Sequence, residues 1–246
     1  YEIMPSLVGS EMCIRDSVIG ITCTSILGGK PYGSLVEKFG GEAKYITSKV
    51  EESAGNTVSE IDALLLSGGP DVHPERYGEN PNPQRDYNRA RDELEINLLK
   101  NSLTADIPIL AICRGMQLLN VTLGGSLTES LEDHDSIPLK DSEETNKESS
   151  FHRIFISPGC RLASTVGSGG FVRVNSRHHQ GLKEPQKSDD LMASAWSLED
   201  GVIEALESTV NDWVLGVQFH PERRGELPPH FDRLFETLVY RAKSTI

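Results

Sequence analysis

The sequence has few cysteines, no long apolar run and no excess of positive charge. The cysteines are Cys13, Cys23, Cys113 and Cys160. They form no Cys-x-x-Cys pair, which favours free thiols in a reducing compartment over a disulfide or zinc framework, so we expect a cytoplasmic protein. No apolar stretch approaches the ~20 residues of a membrane helix, which argues against a membrane protein. The net charge of −13 argues against nucleic acid as a partner, because phosphate backbones bind clustered Lys and Arg. The expected partners are small molecules or proteins.

The length of 246 residues is enough to bury a core without disulfides, and no repeat or long linker divides the chain. Residues 18–246 are therefore predicted to form a single domain. The first 17 residues, "YEIMPSLVGSEMCIRDS", lack the basic start and continuous apolar segment of a signal peptide. Because "SLVGSEMCIRDS" resembles translated sequencing-adapter sequence, residues 1–17 are predicted to be a non-native or disordered leader. The native N-terminus is then undefined, and Cys13 has no chemical role.

The first half alternates apolar runs with helical patterns. The runs are "VIGITCT", "AKYIT", "IDALLLS" and "PILAI". Their length and continuity favour strands buried on both faces of a parallel sheet. The segment "DYNRARDELEINLLKNSL" has leucines at helical spacing and is predicted to be the crossover helix before "PILAI". A second helix is predicted after Cys113, ending at Gly124 and Gly125.

The second half is rich in β-strand patterns. The runs are "HRIFIS", "GFVRVN", "LMASAWS", "VIEALES" and "WVLGVQF". The pair Asp200-Gly201 suits a hairpin, so much of this half is predicted to be antiparallel or mixed sheet. A final helix is predicted from Pro228 to about Ala242. The polar residues 134–150 are predicted to form a surface loop of unassigned role.

Cys113 lies where "PILAI" changes to the helical pattern "RGMQLLNVT". Ala111 and Gly115, two positions on either side, are small enough for a strand and a helix to approach closely, as in the similar Gly-x-Ser-x-Gly elbow. A helix N-terminus also favours a thiolate, which suits a nucleophile. The alternative is a small buried hydrophobe, the commonest role of a free cysteine. The spacing alone leaves both roles open.

His220 and Glu222 follow the apolar run "WVLGVQF". Residues i and i+2 lie on the same side of an extended chain, and Pro221 favours an extended conformation at His220. Glu222 could then orient an imidazole that accepts a thiol proton and later donates it to a leaving group. A surface histidine beside a solvated glutamate is the alternative.

A third segment, Gly68-Gly69-Pro70, follows the run "IDALLLS". A diglycine can present bare backbone N–H groups, as an oxyanion hole requires, although Gly-Gly-Pro is also common in turns. Like Cys113 and His220, it follows a predicted strand. Ligand sites of open α/β sheets lie at the carboxyl ends of strands.

Together and in this order, the three segments resemble the class I glutamine amidotransferase superfamily, whose members use a Cys-His-Glu triad on a flavodoxin-like sheet. The blocks similar to its C26-type peptidases, the γ-glutamyl-γ-aminobutyrate hydrolase branch, are "GGPDVHPERYGE", "RDELE", "CRGMQLLNVTLGGSL", "VNSRHHQGL", "EDGVIEALE" and "GVQFHPE". The resemblance covers roughly residues 68–222. It implies an α/β fold with a flavodoxin-like, mostly parallel sheet, helices on both faces, and an antiparallel or mixed β portion in the second half.

The resemblance also implies roles for residues. Cys113 would be the nucleophile, His220 the general base and acid, and Glu222 the residue that orients His220. The backbone N–H groups of Gly69 and Arg114 would form the oxyanion hole. The candidate substrate-binding residues are Gly68, Gln117, Arg177, His178, His179 and Gln180. The last four occupy the loop that holds the glutamyl α-amino and α-carboxylate groups, with a hydrogen-bonded turn as the alternative for the paired histidines.

The implied activity is hydrolysis of a small γ-glutamyl amine, such as γ-glutamyl-γ-aminobutyrate, through a γ-glutamyl thioester, in polyamine or putrescine catabolism. No metal or organic cofactor is implied, because backbone donors polarise the carbonyl and a histidine activates the thiol. One alternative is a glutaminase subunit that passes ammonia to a synthetase partner. Another is a catalytically silent protein that binds a γ-glutamyl metabolite, although the three triad residue types argue against it.

Some features depart from the family pattern. The segment "KYITSKVEESAGNTVSE" is more polar than the stretch usual in these hydrolases, which leaves the sheet edge and a homodimer contact there open. His73 is assigned only to the loop near the pocket. The sequence does not identify the amine that leaves.

Overall fold

The computed structural model describes residues 17–48, 57–128, 130–131 and 149–244, and arranges their strands in one nine-stranded sheet. The strands are β1 Ser17–Thr22, β2 Gly41–Ile46, β3 Ala63–Leu66, β4 Ile109–Ile112, β5 Ser150–Ile156, β6 Gly170–Ser176, β7 Leu191–Ser197, β8 Ile203–Ser208 and β9 Val214–Val217. The α-helices are α1 Ile26–Lys38, α2 Arg89–Thr104, α3 Arg114–Thr122, α4 Arg161–Val166 and α5 Arg233–Ser244. Strand β1 begins at Ser17, inside the predicted leader, whose other residues lie outside the described ranges, as do residues 134–148 of the predicted loop.

The sheet has the strand order β2-β1-β3-β4-β9-β8-β7-β5-β6. Neighbouring strands are parallel from β2 to β9 and antiparallel from β9 to β6. Parallel neighbours need crossover connections, which α1 and α2 provide, whereas β7 and β8 join through the predicted turn at Asp200-Gly201. The predicted α/β class is confirmed, and its parallel and antiparallel portions form one continuous sheet.

Helices cover both faces of the parallel portion. Alternate residues of each strand point to opposite faces. Leu65 and Ile112 face a core that includes Leu35 of α1 and Phe235 of α5. The other face carries its own core, formed by Leu64, Leu66, Ile109 and Ala111 with Leu98 and Leu99 of α2 and Leu118 and Leu119 of α3. The carboxyl ends of the parallel strands are therefore held between two packed layers.

Helix α1 is not predicted by the sequence patterns, because "ILGGKPYGSLVEK" contains three glycines and a proline, which have low helix propensity. Two of these glycines allow a close approach. A Cβ on Gly33 would lie 2.0 Å from the Tyr45 hydroxyl oxygen, and one on Gly29 would lie 2.7 Å from the Tyr45 ring. Packing against β2 thus overrides propensity. The helix buries Tyr32, which contributes to the site described below.

The ends of two predicted helices differ in the structure. Helix α2 begins at Arg89, because the Asn88 side chain caps it by accepting the Arg91 N–H. The final helix does not begin at Pro228. A 3₁₀ turn occupies Pro229–Asp232, and α5 follows it to Ser244. Within the described ranges, every helix is too short or too polar to cross a bilayer.

Candidate active site

The three predicted segments meet at one edge of the sheet. Gly68 follows β3, Cys113 follows β4 and His220 follows β9, and these strands are adjacent and parallel. Their carboxyl ends therefore share an edge. A Cβ placed on Gly68 would lie 3.1 Å from His220 Cε1 and 3.8 Å from Cys113 Cβ. The structure thus brings the glycine turn, the thiol and the imidazole into direct proximity.

Cys113 occupies a sharp corner between β4 and α3. Its backbone has φ 52 and ψ −106, a conformation that costs a non-glycine residue roughly 1–3 kcal/mol. The Cys113 N–H donates to the Val217 carbonyl at 2.7 Å, which anchors the corner to β9. Gly115 lets the helix approach β3, since a Cβ there would lie 2.4 Å from the Leu66 carbonyl oxygen. The predicted elbow is present, and the thiol lies at its apex.

His220 and Glu222 form a buried pair. The Nδ1 of His220 is 2.6 Å from Oε1 of Glu222, as expected from their i, i+2 spacing. Burial lowers the pKa of His220, but the charges of Glu222 and Cys113 and hydrogen bonds with both outweigh it. The pKa is raised well above its ordinary value of 6.5. An imidazole held between a carboxylate and a thiol can take up the thiol proton and keep it.

The glycine turn is fixed by two residues that the sequence analysis did not single out. The Gly68 N–H donates to the Tyr32 hydroxyl at 3.2 Å, and this hydroxyl donates to Glu222 Oε1 at 2.9 Å. Gly69 lies against the Arg91 guanidinium, because a Cβ there would be 2.0 Å from Nη1. Tyr32 could not be predicted because the sequence of helix α1 has no recognisable helical pattern. Arg91 belongs to the "RDELE" block, which matched the family without an assigned role.

A cluster of buried charges lies behind the turn. Arg114 forms ion pairs with Asp92 and Glu95, and Arg91 Nε donates to Glu95 Oε1 at 2.8 Å. Burial would raise the pKa of Glu95, but the two arginines outweigh it and lower that pKa. The Arg114 side chain therefore points away from Cys113. Only its backbone N–H can serve the predicted oxyanion hole.

Two glutamines connect Cys113 with the loop after β6. The Gln218 amide nitrogen is 3.5 Å from Cys113 Sγ, and Gln117 Nε2 donates to Gln218 Oε1 at 3.2 Å. Gln117 Nε2 also donates to the Gln180 carbonyl at 2.9 Å. Gln117 thus links the helix that follows Cys113 to the predicted substrate loop. Gln218 was missed, although its alternation with His220 along the strand end places it on the same side.

The predicted substrate loop, residues 177–180, is tied down at several points. His179 Nε2 is 2.8 Å from Asp71 Oδ2, and His178 Nδ1 is 2.9 Å from the Gln180 carbonyl. In the described part of the chain, His179 Nδ1 and Gln180 Oε1 are buried without a hydrogen-bond partner. The pKa of Arg177 is lowered from its ordinary value, because burial and the neighbouring Arg223 outweigh the opposing charges of Glu226, Cys113 and Glu222.

Two further histidines have polar partners outside the triad. The Nε2 of His178 points to Glu204 of β8, at 3.6 Å from Oε1, rather than to the thiol. His73, assigned to the loop near the pocket, caps the 3₁₀ turn Pro74–Tyr77 with its side chain. Its backbone N–H donates to Asp92 Oδ2 at 3.0 Å. Over the ranges that the structure covers, no three His, Cys, Asp or Glu side chains are arranged to hold a metal ion.

The family model for peptidase C26 matches residues 14–222. A Schizosaccharomyces pombe protein, provisionally named a glutamine amidotransferase, is 34% identical over 218 residues, covering 87% of this chain and 82% of the relative. The Escherichia coli protein named gamma-glutamyl-gamma-aminobutyrate hydrolase PuuD is 32% identical over 227 residues, with coverage of 86% and 88%.

The fold is also similar to solved structures. The glutaminase domain of Trypanosoma brucei CTPS has a TM-score of 0.68 at 14% identity, covering 93% of this chain and 94% of that domain. A glutamine amidotransferase from Methylobacillus flagellatus has a TM-score of 0.63 at 15% identity, with coverage of 94% and 95%. At these identities the likeness shows the fold alone. The family model and the relatives above 30% identity establish more, and the chain belongs to the peptidase C26 family of the class I glutamine amidotransferase-like superfamily.

Proposed function

We propose that the protein is a cysteine-dependent hydrolase that cleaves the γ-glutamyl amide bond of a small γ-glutamyl amine, releasing glutamate and the free amine. The observation that carries the proposal is the buried group of Cys113, His220 and Glu222, with the thiol on a strained corner and the histidine 2.6 Å from the carboxylate. Membership of the C26 family and the similarity to the E. coli hydrolase support the substrate class.

In the proposed mechanism, Cys113 passes its proton to His220 and its thiolate attacks the γ-carbonyl carbon. The tetrahedral oxyanion accepts hydrogen bonds from the backbone N–H groups of Gly69 and Arg114. The C–N bond breaks as His220 gives its proton to the departing amine, which leaves a γ-glutamyl thioester. Water, deprotonated by His220, hydrolyses the thioester to glutamate and regenerates the thiol. Glu222 keeps the imidazole oriented throughout.

In the proposed complex, polar atoms of the loop bind the glutamyl group. Gln180 Oε1 is an acceptor suited to the α-amino group, and Arg177 is a donor suited to the α-carboxylate. His179 Nδ1 is buried and available to either group, according to its protonation. Gln117 lies beside them and keeps the Gln180 backbone in place. His178 does not touch the substrate in this proposal. It supports the loop through its contact with Glu204 on β8.

The test is glutamate release from a panel of γ-glutamyl amides and free glutamine by the purified protein. We expect turnover of at least one γ-glutamyl amine with a higher kcat/KM than glutamine. Cys113→Ala should fold normally and lose more than about 10³-fold in rate, because the nucleophile is gone. Cys160→Ser is a matched control, since Cys160 caps α4 by accepting the Ala163 N–H, a role that serine fills. Undiminished activity of Cys113→Ala would refute the assignment.

A glutaminase that supplies ammonia to a partner is the second candidate, favoured by the name of the S. pombe relative and by the fold shared with the T. brucei domain. Preferential hydrolysis of free glutamine, with γ-glutamyl amines poor substrates, would establish it. A catalytically silent binding protein would instead bind γ-glutamyl amides without turnover, and the wild type and Cys113→Ala would bind them equally well.

A further inference from the structure

We infer that Tyr32 is a positioning residue whose hydroxyl group couples the triad carboxylate to the oxyanion turn. The inference rests on the proposed function, in which Glu222 orients His220 and Gly69 stabilises the oxyanion. The Tyr32 hydroxyl is 2.9 Å from Glu222 Oε1 and 3.2 Å from the Gly68 amide nitrogen. The residue lies in α1, far from the triad in sequence, and is only 6% exposed.

The direction of each hydrogen bond follows from the groups involved. A backbone N–H can only donate, so the hydroxyl oxygen accepts from Gly68 and its hydrogen is left for Glu222. Burial raises the pKa of Tyr32 well above its ordinary range, and the charge of Glu222 raises it further. The phenol therefore stays protonated and remains a donor to the carboxylate at every pH at which the protein is assayed.

At the triad, the consequence is a fixed carboxylate. Glu222 Oε1 receives both the Tyr32 hydroxyl and the His220 Nδ1–H, the latter at 2.6 Å. A carboxylate held by one donor can rotate about its terminal bond, whereas two donors on one oxygen define its plane. Tyr32 thereby determines where Glu222 directs the imidazole, without touching the imidazole itself.

At the turn, the consequence is a fixed peptide. The Gly68 N–H is occupied by Tyr32 and cannot serve an oxyanion, which leaves the next amide, that of Gly69, for that purpose. The Arg91 guanidinium fills the space that a side chain would occupy at Gly69. One hydroxyl group thus orients both the base-side carboxylate and the oxyanion-side amide, the two elements that must be aligned around one carbonyl carbon.

The test is Tyr32→Phe, which removes the hydroxyl and keeps the buried ring. We expect kcat for a γ-glutamyl amine to fall about 10- to 100-fold, the effect of losing a hydrogen bond to a charged group, with KM within about twofold. Tyr45→Phe is the matched control, because that hydroxyl lies against Gly33 on the same helix and away from Glu222, and its kinetics should match the wild type.

A double-mutant cycle separates positioning from general structural damage. In the Glu222→Gln background, Tyr32→Phe should cost less than in the wild type, because only its effect on the Gly68–Gly69 turn remains once the carboxylate is altered. Equal losses in both backgrounds, or an unchanged kcat in Tyr32→Phe alone, would overturn the inference.

A second measurement distinguishes failure of the proposed function from failure of the inference about Tyr32. It is alkylation of Cys113 with iodoacetamide, followed across pH by mass spectrometry of the Cys113 peptide, and it needs no substrate. If the wild type cleaves no γ-glutamyl amide, the proposed function fails. The role of Tyr32 is then judged by the alkylation midpoint, which should shift in Tyr32→Phe and stay unshifted when the same change is made in the Glu222→Gln background. An unshifted midpoint in Tyr32→Phe alone would overturn it.

Discussion

Glu204 carries a prediction about stability. It lies on β8 with no exposed surface, and its Oε1 is 3.2 Å from His152 Nε2 and 3.6 Å from His178 Nε2. Burial alone would raise the pKa of Glu204, but hydrogen bonds and charge interactions with both histidines outweigh it and lower the pKa from 4.5 to about 2. At about 1.4 kcal/mol per pKa unit, this corresponds to about 3 kcal/mol of folding free energy.

The sign of the pH dependence follows from the two shifts. The folded pKa of Glu204 is lowered, so its contribution is present above about 4.5 and is lost as the pH falls towards 2. The pKa of His152 is raised: burial opposes the shift, but Glu204 outweighs it, with Glu199 and Asp200 adding to it. The contribution of His152 is therefore present below 6.5 and is lost as the pH rises through its folded pKa. The pair stabilises most between pH 4.5 and 6.5.

The assay is urea unfolding of Glu204→Gln and wild type at pH 5.5 and pH 9. At pH 5.5 we expect a loss of about 3 kcal/mol, a midpoint shift of about 1 M for an m-value on the order of 3 kcal/mol/M. At pH 9 the difference should shrink. Glu207→Gln is the control, since Glu207 on the same strand accepts the N–H groups of Arg161 and Leu162, which do not titrate. A loss below about 1 kcal/mol at pH 5.5, or an equal loss at both pH values, would refute the reasoning.

Two further predictions concern the framework of the site. Gly115→Ala should lower the free energy of unfolding by more than about 2 kcal/mol, measured by urea denaturation, because the added Cβ would lie 2.4 Å from a backbone oxygen of β3. The control is Gly28→Ala, whose Cβ would be 3.4 Å from its nearest neighbour, and this change should be neutral or stabilising. Arg91→Lys should cost about 3 kcal/mol in the same measurement, because lysine cannot replace the bonds to Glu95, Thr24 and Ser67. The exposed Arg89→Lys should change stability by less than about 0.5 kcal/mol, and similar losses in both arginine variants would contradict the prediction.

The edge at which the site lies could be predicted from the sequence, because it depends on local pattern. Cys113, His220 and Gly68 each follow an apolar run, and such runs become adjacent strands whose ends coincide. Tyr32 could not be predicted in this way. Its helix forms because the glycines pack against Tyr45 of another strand, and this contact outweighs a poor local propensity.

The direction in which each side chain of the loop 177–180 points could also not be predicted from the sequence. The "SRHHQ" block predicts either two histidines at the substrate or a hydrogen-bonded turn, and the sequence does not give the direction of either ring. His178 Nε2 lies 3.6 Å from Oε1 of Glu204, which is buried in the apolar run "VIEALES". A charged residue inside such a run does indicate a buried ion pair. Its partners, His152 and His178, are distant in sequence and become neighbours only in the folded sheet.

The buried ion pair and the candidate active site are physically continuous. Glu204 holds His178, His178 holds the Gln180 carbonyl, and that carbonyl also accepts Gln117. Gln117 in turn donates to Gln218, whose amide nitrogen approaches the thiol of Cys113. The antiparallel half of the sheet therefore determines where the substrate loop lies relative to a thiol that the parallel half provides. A buried charge that stabilises the fold is therefore connected to the candidate active site, since every link between it and Cys113 is buried and hydrogen-bonded or ion-paired.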